Sequence, residues 1–235
     1  SEKFPELTAF RREVALAQMH EVTPDLRRAF QWGDNEEPRS LNRDRRVSLS
    51  NILAGALAAD PVGPKVRSFA DAIEGAEEPN FRWMMFGNPY VTASDFRQGL
   101  GAGHTASGMG VMLARDTWAS GGSLFASQMA PRTTVDHNME YLSNFDLYRR
   151  GEFAVTHVIG YDALQSEHHN AMLLAGLSAM NEARGPLAQE VAADGSYAYQ
   201  VGATGGNRNT DNYYNPPPRF LHEWTRSLVY LPSTD

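Results

Sequence analysis

The sequence predicts an α+β protein, with N-terminal helices followed by an antiparallel β-sandwich. Three observations carry this. Apolar residues recur at helical spacing up to about residue 80. Beyond it, short alternating runs rich in Val, Thr, Tyr and Ser take over. Those runs come about once per ten residues, between turn signals, as in a sandwich. The expected division is a helical segment over 1–80 and an antiparallel β-sandwich domain over 81–235.

The first helix is expected in LTAFRREVALAQM, where Leu7, Phe10, Val14 and Ala17 form one stripe. A polar loop, FQWGDNEEPRS, follows, with a turn at Gly33-Asp34. The second helix is expected in SLSNILAGALAAD, with Ser48 or Ser50 as N-cap and a stop at Asp60-Pro61. The third is GPKVRSFADAIEG, ending at Gly75. Strands are expected in GVMLARDTW, SLFASQM, LSNFDLY, EFAVTHV, NAMLLAG and RSLVYLP. GATGGNRNTDNYYNPPP reads as a long loop, of a length that usually serves function. The last strand runs straight into STD where a sandwich would normally go on, so the chain reads as a fragment truncated at its C-terminal side or as one piece of a nicked or split protein.

Composition excludes several functions. The chain has 235 residues, enough to bury a core without covalent staples. It has no cysteine, which removes disulfides, thiol catalysis and thiolate-bound zinc. The net charge of -7 argues against a nucleic-acid partner. No apolar run approaches the ~18 residues of a membrane span. SEKFPEL lacks the basic and apolar regions of a secretion signal, as a mature secreted chain also would. Arg39, Arg43, Arg45 and Arg46 form one basic cluster and Arg149-Arg150 another; both read first as solvated surface.

The chemistry-bearing residues lie in and around one predicted hairpin. GAGHTA fits a dinucleotide fingerprint only formally, because a strand rather than a helix follows it; turn glycines are the simpler reading. In the hairpin, RRGE (Arg149 to Glu152) makes the connection, with Gly151 free to take positive φ. Alternation puts Phe145 with Leu147 on one face, and Phe153, Val155 and His157 together after the turn. Without a bulge, His137 lies ~20 Å along the ribbon from His157, so the two make no metal pair by local geometry. His168 and His169 point to opposite faces if their segment is a strand. G-x-S-x-G and H-E-x-x-H are absent, which disfavours an α/β-hydrolase and a zincin.

DHNMEYLSNFDLYRRGEFAVTHVIGYDALQSEHHNAMLL resembles the sheet domain of heparinase II/III-like polysaccharide lyases. The resemblance rests on Asp136-His137, Phe145, Arg149 or Arg150, Gly151, Gly160-Tyr161 and His169-Asn170. LARDTWASGGSLFASQMAP is similar to the strand that precedes these in the family, and EWTRSLVYLP to a later one. The resemblance implies that the helices close an α/α toroid and the strands begin its β-sandwich. It implies β-elimination on a uronate-containing, anionic polysaccharide, in a periplasmic or secreted protein, with the remainder of the lyase fold as an associated part. His137 would be the catalytic base or the neutraliser of the substrate carboxylate. Arg149 or Arg150 would pair a carboxylate or sulfate. Tyr141, Tyr161, Tyr213 and Tyr214 would contact sugar. The family's metal, zinc, would keep His157 and His169 as ligands at a degenerate site, since the second histidine falls on Met139. Three readings stay open: a lyase, a non-catalytic carbohydrate-binding or structural module on a degenerate lyase scaffold, and a glycoside hydrolase.

Overall fold

The computed structural model describes residues 5–31, 41, 43–73, 84–85, 88–129, 144–157, 170, 173–174, 177–178, 183–204 and 224–232. Three helices come first: α1 (Pro5–His20), α2 (Arg43–Ala56) and α3 (Gly63–Ile73). α1 runs through Leu- and Ala-rich sequence without an internal Pro or Gly. Its buried side is not the expected stripe. Ala15, Met19 and His20 face inward, while Leu7 and Phe10 are exposed. The core lies across the helix end, so only the last turns of α1 are covered.

α2 starts five residues earlier than its serines suggest, so neither Ser48 nor Ser50 caps it. Ser50 Oγ instead donates to Gln18 Oε1 on α1 at 3.2 Å. Arg46, expected to be solvated, pairs with the buried Glu21. The turn into α3 is held by Asp60 Oδ1, which accepts from the Val62 amide at 2.8 Å. Gly63 follows because any Cβ there would collide with the Leu57 carbonyl. Leu53, Leu57, Val66, Phe69 and Ile73 close the helical core, and Phe96 joins it edge-on to Phe69 at 5.4 Å.

Ten strands follow. β1 (Gly103–Ala106), β2 (Val111–Arg115), β3 (Leu124–Gln128), β4 (Asn144–Arg149) and β5 (Glu152–Val155) form one antiparallel sheet in that order. β8 (Ala183–Val191), β9 (Ala198–Thr204) and β10 (Trp224–Tyr230) form a second, in the order β10-β9-β8. β6 (Leu173–Leu174) and β7 (Leu177–Ser178) pair with each other. The class is therefore α+β. The expected β2, β3, β4, β5 and β10 are present. β1, β8 and β9 were not expected, and β1 occupies the supposed turn glycines GAGHTA.

The five-stranded sheet is covered on both faces, and β2 and β3 are buried at every residue. Met112, Ala114, Phe125, Phe145 and Leu147 pack against Ala198, Leu228 and Tyr230 of the second sheet. Val111, Leu113 and Ala126 meet Phe30 from the helical side. Period-2 alternation thus serves two apolar layers rather than one core and one wet face. Gln200, fully buried on β9, stitches the sheets. Its Oε1 accepts from Ser127 Oγ at 2.8 Å, and its Nε2 donates to the Gly110 carbonyl at 2.9 Å.

The hairpin β4–β5 turns through Arg150 (φ 55°) and Gly151 (φ 88°). Positive φ at both central residues is the two-residue turn that matches strand twist. One expectation fails here. Tyr148 pairs with Phe153, but Leu147 pairs with Val155, so β5 bulges at Ala154. One extra residue reverses parity. Phe153 stacks edge-on to Tyr148 at 5.2 Å, and Val155 lies opposite Leu147, so the two do not share a face.

Candidate functional site

The far end of β4 gathers the polar groups. Asn144 and Asp146 share one face, both about 1% exposed, on the helical side of the sheet. β5 has ended, and His157 folds over that same face. Its backbone N–H donates to Asp146 Oδ1 at 3.2 Å, and its ring Nδ1 lies 2.9 Å from the same oxygen. The Asn144 amide lies 2.7 Å from that nitrogen, and Phe30 meets the ring edge-on at 6.2 Å. The backbone and ring contacts of His157 onto one carboxylate oxygen fix the orientation of the ring. His157 is therefore not on the Val155 face, as simple alternation has it; the bulge and the strand end carry it across.

Asn170 closes the same end from the other side. Its Oδ1 accepts from the Phe145 amide at 2.9 Å, and its Nδ2 donates to the Phe145 carbonyl. β5 stops before it can pair Phe145, so one side chain completes the ladder. Arg226 of β10 donates to the Asn170 carbonyl at 2.6 Å and lies 5.6 Å from the Phe145 ring. Both amide atoms of Asn170 are thus engaged by backbone, which makes it a clasp rather than a substrate contact.

Arg149 and Arg150 sit at the opposite end of β4, exposed on the turn. They are not brought to His157: five residues of strand, ~17 Å, lie between Asn144 and Arg149. They line instead a groove of ≈ 590 Å³ with Phe125, Phe145 and Tyr230. His137, Tyr141, Tyr161 and His169 lie outside the described residues, as do Tyr213 and Tyr214. Among the described residues no group of three or more His, Asp or Glu converges on a point where a metal could sit.

A second buried cluster was not expected. Arg115, at the end of β2, is fully buried; its Nη2 donates to the carbonyls of His20 (2.6 Å) and Val22 (3.2 Å). Its guanidinium lies 3.6 Å from the centre of the Trp118 ring. The His20 ring stacks on His104 at 5.7 Å and meets Trp118 edge-on at 5.0 Å. Burial, then the charge of Arg115, then His104, hold His20 well below the usual histidine range. Burial pushes the Arg115 pKa down to about 9, so it stays a cation at neutral pH. The Asp146–His157 pair, eleven residues apart, and the Arg115 cluster were missed because only tertiary contact assembles them.

No family model matches the chain, and no curated protein matches it. Solved structures do. The crystal structure of heparan sulfate lyase HepC from Pedobacter heparinus superposes with a TM-score of 0.54 at 14% identity, over 91% of this chain and 29% of its own. The crystal structure of heparinase III gives 0.59 at 14% identity, over 96% and 33%. The heparinase III BT4657 gene product with methylated lysines gives 0.56 at 12% identity, over 91% and 28%. The fold is therefore similar to part of the heparan sulfate lyase scaffold. The chain spans about a third of the length of these proteins.

Proposed function

We propose that the chain is part of a polysaccharide lyase that cleaves a uronate-containing polymer by β-elimination. In this reading α1–α3 close an α/α toroid, the two sheets begin a β-sandwich, and the division falls near residue 80. The observation that supports it most is the fold likeness over 91–96% of the chain to heparan sulfate lyases. The polar end of β4 adds to it: Asn170, the residue after His169, is clasped to β4 beside the Asp146–His157 pair. A polymer too large to enter cells places such a protein in the periplasm or outside.

The chemistry makes three demands. A base removes the C5 proton of the uronate, the electron pair forms the C4–C5 double bond, and the C4–O4 bond breaks. An acid protonates the departing O4. Donors must neutralise the C6 carboxylate, on which charge builds as the proton leaves. His137 is assigned as the base or the carboxylate neutraliser, with Tyr141 and Tyr161 as sugar contacts. Asp146 keeps the buried His157 ring oriented. Asp146 itself is engaged twice by His157. No third ligand joins Asp146 and His157 among the described residues, so no step is routed through a metal.

The test is ultraviolet absorbance on a panel of uronate polymers, because elimination creates a conjugated double bond and hydrolysis does not. A rising signal that His137→Ala abolishes is the expected result. A rising signal unchanged in that variant overturns the role of His137, and a flat signal on every polymer overturns the lyase. Met139 in place of a ligand histidine favours the second reading, a non-catalytic sugar-binding module, and a flat signal with retained binding is its signature.

A further inference from the structure

The groove at the turn end of β4 is built unlike the rest of the surface. It opens between the two sheets, where β10 ends beside the β4–β5 turn, and holds ≈ 590 Å³. Its floor is aromatic. The Phe125 and Tyr230 rings lie 5.3 Å apart and within 5° of parallel, and Phe145 follows at 5.8 Å from Phe125. Tyr230 is held by Ser123 Oγ at 2.5 Å from its hydroxyl. Its rim carries Arg149 and Arg150, both exposed.

The charge balance of the rim favours an anion. Among the described residues Asp116 is the one carboxylate in its lining, and Oδ1 accepts from the Thr117 and Ser123 amides at 2.6 and 2.7 Å. Two unspent guanidiniums therefore face one occupied carboxylate, on a chain of net charge -7. The backbone adds an independent observation. Arg150 holds φ 55° at a turn position that Asn or Gly fills at less cost. The arginine kept in that conformation lines the groove together with Arg149.

We propose that this groove is a second saccharide site, distant from the polar end of β4. The carboxylate or sulfate of an acidic sugar pairs with Arg149 and Arg150 while the apolar face of the sugar lies against Val229 and Leu231, which line the same groove and are exposed. Guanidiniums bind such planar or tetrahedral anions in forked pairs. The proposal rests on the reading of an anionic polysaccharide partner. It adds a holding site that is not the cleavage site.

The experiment is calorimetric titration of the whole chain with an unsulfated uronan, a sulfated uronan and a neutral polymer. It is repeated on Arg149→Ala/Arg150→Ala, whose melting point checks the fold. Expected are binding of an acidic polymer only, affinity at least tenfold weaker in the double variant, and a shallower dependence on salt. Shifts of the Val229 and Leu231 methyl signals on binding are expected in NMR spectra. Binding of both uronans identifies the carboxylate as the recognised group; binding of the sulfated one alone identifies sulfate. Equal affinity in the double variant overturns the groove while the lyase reading stands. So does equal binding of the neutral polymer, and so does cleavage with no binding retained at Arg149 and Arg150. Neither binding nor cleavage by the native protein overturns both.

Discussion

Arg115 Nη2 donates to the carbonyl of His20 at 2.6 Å, so a strand residue satisfies the end of a helix ninety-five positions away. α1 ends at His20 without a glycine cap, and its last carbonyls need a donor. The same guanidinium lies flat on Trp118. One side chain therefore joins the helices to the sheet. Arg115→Met should cost about 2–4 kcal/mol, from orphaned carbonyls and the lost ring contact. Arg115→Lys should recover little, because an ammonium cannot fork to two carbonyls while stacking. Urea denaturation of the three proteins measures both.

The histidines beside it make the joint sensitive to acid. His20 and His104 have folded pKa values below their ordinary 6.5, mainly through burial. Between the folded and unfolded values the unfolded chain binds more protons, so stability falls as pH drops below 6.5. Glu21, whose carboxyl burial raises above 4.5, acts in the opposite sense just above that value. The slope just under pH 6.5 thus belongs to the histidines. His20→Asn should flatten it, as read from melting temperature against pH. An unchanged slope would assign the acid response elsewhere.

Arg150 offers a trade between stability and binding. Arg150→Asn relieves the left-handed turn and should stabilise the chain by several tenths to about 1 kcal/mol. The same change should weaken binding of acidic polymer. A melt and a titration on one variant read both, and a variant that gains stability with full affinity would detach Arg150 from the groove.

Gly103 is a packing glycine. A Cβ there would strike the Leu113 carbonyl and approach Val191 Cγ1 to 2.6 Å. Gly103→Ala should cost about 1–3 kcal/mol by forcing β1 off β2. Nucleotide affinity should be absent before and after, which equilibrium dialysis with a labelled dinucleotide checks.

What the sequence reveals and hides follows from local physics. β2, β3 and β4 were legible because their residues alternate between two covered faces, and β10 because it alternates a buried face with an exposed one. β1 was hidden because its glycine looks like a turn signal, although it is there for close approach to Leu113. β8 was hidden by Gly185 at φ 76° and by two register irregularities around Pro186, which erase any period. The face of Val155 was misjudged by a single inserted residue, Ala154, because strand parity has no tolerance for an odd count. Asn144 and Asp146 share a polar face of β4, and nothing local announces that His157 will cover it. The exposed Leu7 and Phe10 mislead in the other direction, since helical spacing reports an apolar stripe and not what lies against it.

The two sheets end differently, and that difference governs how molecules of this protein meet at high concentration. β5 closes its sheet with four residues, a bulge and the exposed charge of Glu152, so an incoming strand finds no straight run to copy. β10 closes the other with seven residues paired to β9 without a register shift, and Val229 and Leu231 are 62% and 71% exposed beside it. Among the described strands, β10 is the margin that would template aggregation. Solubility is therefore decided along Trp224–Tyr230 more than by the chain's overall negative charge.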